Sequence, residues 1–70
     1  MTYTEQGDEI ILQMGQEDWA QLLLILGCGV GSARAAGEER RFWTWIDFVN
    51  RLNQGNRNYT PYEIPAEYRT

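Results

Sequence analysis

The stretch from Trp19 to Ala36 constrains this chain more than any other. Trp19, Leu22, Leu23, Leu26 and Val30 recur at helical spacing, and Leu24 and Ile25 carry the apolar surface round the rest of the cylinder. A helix that is apolar over most of its circumference has to be buried on more than one side. Seventy residues make a single small domain, 1–70, and a chain of that size buries only about 60% of the surface its unfolded form exposes. That is too little protein to cover such a helix. The pattern therefore predicts a homo-oligomer with Leu24 and Ile25 in its interface.

The residues that follow support the same reading. Gly27, Gly31 and Ala35 lie at four-residue intervals, so on a continuing helix they form a strip of small side chains. Such a strip lets a second backbone approach closely, and it is assigned to the same interface. Gly27, Gly29 and Gly31 would each cost about 1 kcal/mol against alanine in mid-helix, a cost that close packing offsets. A helix is expected over 16–36, with Glu17 and Asp18 in its first turn, any bend at the glycines, and Gly37 ending it.

Leu22–Gly31 reads LLLILGCGVG, which resembles the strand-to-glycine-loop signature of nucleotide-binding α/β folds. It is most similar to the first motif of adenosylmethionine-dependent methyltransferases. The resemblance implies backbone N–H groups approaching a ligand at a helix N-terminus. Three features oppose it. The sixth position of the dinucleotide spacing is Ser32 rather than glycine or alanine, and the acidic residue usual ahead of the methyltransferase glycines is missing. A doubly wound domain also needs roughly twice this length. The packing strip is the reading carried forward.

Glu38-Glu39-Arg40-Arg41 opens a second helix, expected over 38–54 and followed by Gly55 as its terminating residue. Phe42, Trp45, Ile46, Val49 and Leu52 form its core stripe; Arg40, Trp43, Asp47, Asn50, Arg51 and Gln54 face the other way. The segment Phe42–Asn53, with two of the three tryptophans and both phenylalanines, is read as the helix on which everything else packs. Joined at Gly37, the two helices form an antiparallel pair.

Before them, residues 1–14 read as a strand or hairpin. Ile10, Leu12 and Met14 alternate with Ile11 and Gln13, and Gly7-Asp8 marks a turn back to residues 2–6. A lone hairpin is marginal in water, so it must lie on a helix or pair with another subunit. In the tail, 55–70, Pro61 and Pro65 exclude a continuous helix. Tyr59, Tyr62, Ile64 and Tyr68 make it too apolar for a linker; it drapes, extended, over the helices or a neighbouring subunit. The fold class is α+β, mainly helical.

Chemistry narrows the function less than it narrows the fold. A net charge of −4 argues against a duplex nucleic acid partner. A few local arginines can still hold a small anion, and all six basic residues are arginine. Trp43, in helical phase with polar groups, suits a stacking platform flanked by Arg40, Asn50 and Arg51, or else a ring covered by tail tyrosines or a subunit. Arg51 and Arg57, with Asn53, Asn56, Asn58, Tyr59 and Tyr62, suit a phosphate-bearing ring ligand. The plainer reading makes the asparagines turn formers and Arg51 a helix-dipole partner.

An enzyme is not expected. The chain has no histidine, its acids are scattered, and Cys28, its one thiol, lies in an apolar helical run with nothing to activate it. No metal and no cofactor are predicted. The reading is a non-catalytic homo-oligomeric binding protein, in its most specific form one that sequesters a small nucleotide-like anionic ligand, as phages do against host signalling. The competing reading is a small protein-interaction module, an inhibitor or accessory subunit, gripping its target with Trp43 and the tail. The apolar run Leu22–Leu26 falls far short of the ~20 residues that span a bilayer, and no signal-peptide pattern follows Met1, so a cytoplasmic protein without a membrane partner is expected.

Overall fold

The computed structural model describes residues 1–69. Strands β1 (Thr2–Gln6) and β2 (Glu9–Gln13) form an antiparallel hairpin, with Tyr3 opposite Leu12 and Glu5 opposite Ile10. The two-residue connection Gly7-Asp8 works because Gly7 takes φ 60 while Asp8 stays out of the left-handed region, the φ signs of a type II′ turn. Period-two alternation then sorts the side chains. Tyr3, Glu5, Ile10 and Leu12 share one face, and Thr2, Thr4, Gln6, Glu9, Ile11 and Gln13 share the other. Every one of these ten residues is exposed. The hairpin approaches neither helix of its own chain.

Helix α1 (Gln16–Ala35) is continuous through its glycines, so the glycine-loop resemblance of Leu22–Gly31 does not describe this backbone. It ends in a Schellman arrangement: Gly37 at φ 72 donates to the Arg34 carbonyl, and Glu38 donates to the Ala33 carbonyl. Helix α2 (Glu39–Leu52) follows at once. Arg34 sits over the Phe42 ring at 5.6 Å, and one turn back Gly29 faces the Trp45 ring, so α1 and α2 run antiparallel. A Cβ built on Gly29 would stand 3.7 Å from Trp45 Cζ3, ordinary van der Waals contact.

The closest packing between the helices falls at Ala33, 3% exposed, and Ile46, 5% exposed. Leu22, Leu23, Leu26 and Val30 are only half-buried, as are Phe42, Val49 and Leu52. The small-residue strip of Gly27, Gly31 and Ala35 does not meet α2; all three are exposed, and a Cβ at Gly27 or Gly31 would meet nothing within 4 Å. Two further expectations shift. Trp45, read as core, is 40% exposed with the Arg41 guanidinium 5.8 Å over its ring. Cys28, whose apolar run predicts burial, is exposed on α1.

The tail is not wholly extended. A single turn of 3-10 helix, Ala66–Tyr68, follows Pro65 and brings the Tyr68 ring onto α2. A chain of this mass folded as a compact monomer exposes about 4,500 Å²; this one exposes 6106 Å². Its radius of gyration, 13.7 Å, exceeds the about 11 Å typical of its length. No helix among the described residues is long and apolar enough to cross a membrane.

Candidate functional site

Helix α2 carries one side chain that organises the tail. Asn50 Nδ2 donates to the Tyr62 carbonyl at 2.9 Å, and Asn50 Oδ1 accepts from the Tyr62 N–H at 3.0 Å and from the Tyr59 hydroxyl at 2.7 Å. The amide thus pairs with Tyr62 as a strand backbone would. Downstream, Asn53 is buried; its Nδ2 donates to the Val49 carbonyl and its Oδ1 accepts from Asn56 Nδ2. Asn56 Oδ1 in turn accepts from the Asn58 N–H. Two of these are bonds that short amides make with nearby backbone, and the third joins the Asn53 and Asn56 side chains. They carry the chain from the end of α2 back across its own side.

Between α1 and this returning segment lies an open groove of about 900 Å³. Trp19, Leu23, Gly27, Gly31 and Arg34 line it from α1, Phe42, Ile46 and Val49 from α2, and Asn56, Asn58, Tyr59 and Tyr62 from the turn and tail. Two properties mark it. In a chain of net charge −4, no aspartate or glutamate among the described residues lines it, and Arg34 is its one cation. No carboxylate among the described residues forms an ion pair with Arg34. Open glycines on one wall and aromatic rings on the other leave room for a flat ring.

The residues singled out from sequence do not all converge here. Asn50, Tyr59 and Tyr62 come together, but the Asn50 amide is engaged by the tail on both its polar atoms. Tyr59 and Tyr62 stand edge to face, centroids 6.3 Å apart. Burial, then the neighbouring Tyr62, raises the Tyr59 phenol above its ordinary value. Arg51 points elsewhere, bonded to Asp47 at 3.1 Å and lying 5.7 Å over Phe48. Arg57 is exposed in the turn and lines none of the grooves described here.

Trp43 lies under the tail. Tyr68 stacks on it at 6.2 Å and 28°, Phe42 meets it edge-on at 4.8 Å, and the Tyr68 hydroxyl donates to Glu39 Oε2 at 2.7 Å. That bond to Glu39 raises the Tyr68 phenol, with burial and the Glu39 and Glu67 charges adding to it and Arg40 opposing. The hollow beside Trp43 shares Arg34, Phe42 and Tyr62 with the larger groove, but three acids, Glu38, Glu39 and Glu67, rim it against that one cation, a balance that disfavours an anion. Arg40 and Trp43 therefore belong to a different place from the tyrosine groove. Sequence reasoning passed over Arg34 and Trp19 as site residues. The signal was present: both fall on the α1 stripe facing the tail, but only the return of the tail turns that stripe into a groove.

Leu24 and Ile25 are widely exposed, 64% and 66%. The predicted interface residues do not share one surface: Ile25 joins Gly29, Trp45 and Phe48 around a smaller hollow of about 420 Å³, whereas Gly27 and Gly31 wall the larger groove. No group of three or more His, Cys, Asp or Glu side chains among the described residues could hold a metal ion. No family model matches the chain, and comparison with curated proteins and with solved structures gave no match.

Proposed function

We propose that this chain is a non-catalytic, homo-oligomeric binding protein that captures a small nucleotide-like anion in the groove between α1 and the tail. One observation carries the ligand class: in an acidic chain, the groove of about 900 Å³ sets aromatic rings and amides beside its aliphatic side chains, with Arg34 its one charge. A guanidinium beside aromatic rings suits a phosphate on a planar base. Trp19 and Tyr59 offer faces, Asn58 an amide, and Arg34 the charge. Capture without turnover matches a sequence that has no histidine and whose one thiol does not line this groove.

Trp19 lines the groove and serves as the reporter. Titrating a panel of mono-, di- and cyclic nucleotides should change tryptophan emission saturably for at least one member. Arg34→Ala should weaken that binding by tenfold or more, in keeping with a charge-assisted contact of about 1.5–3 kcal/mol. A flat response across the whole panel overturns the ligand class.

A protein-interaction module is the second reading, and a separate observation favours it. Ile25, Trp45 and Phe48 form an exposed apolar cluster, with Phe48 46% exposed. An apolar surface of that kind marks a protein contact more often than a small-molecule site. The gripping tryptophan is then Trp45, because Tyr68 already covers Trp43.

A further inference from the structure

The hairpin and the Ile25–Trp45–Phe48 cluster are two apolar surfaces left uncovered among the described residues. No Cα of the hairpin comes within 8 Å of a helix of its own chain, and Tyr3, Ile10 and Leu12 stand exposed on its apolar face. Two strands alone are marginal in water and need a hydrophobic surface to rest on. On the helix pair, Ile25, Gly29, Trp45 and Phe48 surround the hollow of about 420 Å³, and Arg51 is the one charged group on its rim.

We propose that these two surfaces meet between copies: the hairpin of each chain packs its apolar face on the Ile25–Trp45–Phe48 cluster of a second copy, reciprocally. The proposal rests on the self-association in the reading above and names its interface.

Three considerations select a second copy as occupant. The first is area. The chain exposes 6106 Å², about 1,600 Å² beyond a compact monomer of its mass, while a standard interface removes about 800 Å² from each partner. One reciprocal exchange fits within that excess. The second is charge. Glu5 is the one acid on the hairpin's apolar face, opposite Ile10, and Arg41 and Arg51 border the receiving cluster over Trp45 and Phe48. Each guanidinium already holds an exposed carboxylate of its own chain, Arg41 with Glu38 at 2.8 Å and Arg51 with Asp47 at 3.1 Å, and docking adds Glu5 to these pairs. The third is stoichiometry. Every chain carries one donor face and one receiving face, so a two-fold pairing satisfies both and closes. The larger groove, on the Gly27–Gly31 side of α1, stays open.

Sedimentation equilibrium of the full chain with single and mixed variants tests this. The wild type should weigh twice its 8.2 kDa chain mass. Leu12→Glu, on the hairpin, and Phe48→Glu, on the cluster, should each halve the mass while circular dichroism keeps its helical signal. Mixing the two variants should restore a dimer, because one intact pair of faces survives. In a Cys28→Ser background, chains carrying only Leu12→Cys should form a disulfide-linked heterodimer with chains carrying only Phe48→Cys, a readout that does not depend on the glutamate variants folding.

A dimer that withstands Leu12→Glu and gives no disulfide between the thiols introduced at positions 12 and 48 overturns the hairpin exchange and leaves self-association standing. A wild-type monomer overturns both. A monomer in which Leu12→Cys and Phe48→Cys, placed together in one chain, link within that chain assigns the cluster to its own hairpin and likewise overturns the exchange.

Discussion

Asn50 holds Tyr62 by both of that residue's backbone groups, 2.9 Å to its carbonyl and 3.0 Å from its N–H. One side chain on α2 thus does the work of a neighbouring strand and fixes where the tail crosses the helix. The same oxygen accepts from the Tyr59 hydroxyl, so the groove wall and the tail share one anchor.

Asn50→Ala should therefore loosen the tail without unwinding α2. Three lost hydrogen bonds, two of them exposed, are worth about 1–2 kcal/mol net, which lowers the melting temperature by roughly 4–16 °C for a domain of this size. Asn50→Asp should cost a similar amount, because a carboxylate cannot donate to the Tyr62 carbonyl and sits against it with like polarity. Thermal melts followed by circular dichroism, with proteolysis of the tail as a second readout, check this. Unchanged melting and an intact tail would show that the anchor is dispensable.

Alkali should release the end of the tail. The Tyr68 phenol is raised above its ordinary value of 10.0, chiefly by its bond to Glu39, so the folded state holds the phenolic proton more tightly than the unfolded chain does. The contribution is complete below that ordinary value and is lost as pH rises through the higher folded value. Trp43 emission should change in that window as the Tyr68 ring leaves it. The chain has no lysine to titrate there, and Tyr68→Phe should abolish the step. Persistence of the step in Tyr68→Phe would assign it to another tyrosine.

Gly31→Ala separates two uses of the small-residue strip. Nothing lies within 4 Å of a Cβ at this position, so alanine should stabilise the helix by about 0.5–1 kcal/mol. If a partner backbone approached Gly31 instead, the same change would weaken assembly. Melting temperature and solution mass, measured together, distinguish the outcomes, and a higher melting temperature at unchanged mass is expected.

The alternation of Ile10, Leu12 and Met14 and the turn at Gly7 locate the hairpin, and the glycines at 37 and 55 bound the helices, because each is a local signal. Whether Gly27–Gly31 is helix or loop is harder to read, since glycine opposes helix and the flanking leucines favour it; the four-residue spacing is the better guide. Trp43 and Trp45 show where local signals end. Their phase on α2 puts Trp45 inside and Trp43 outside, yet the Tyr68 ring, 25 positions away from Trp43, covers Trp43 and leaves Trp45 open. The groove is invisible in the sequence for the same reason. Arg34, Trp19 and Tyr59 are distant in the chain, and only the turn built by Asn53, Asn56 and Asn58 brings them together.

The account depends on the unburied apolar surface being covered by further copies of the chain. Sedimentation equilibrium of the wild-type protein over a wide concentration range tests that most directly. A mass of at least twice 8.2 kDa, with dissociation only on dilution, is the predicted result. A single 8.2 kDa species that stays folded at the highest concentration would contradict it.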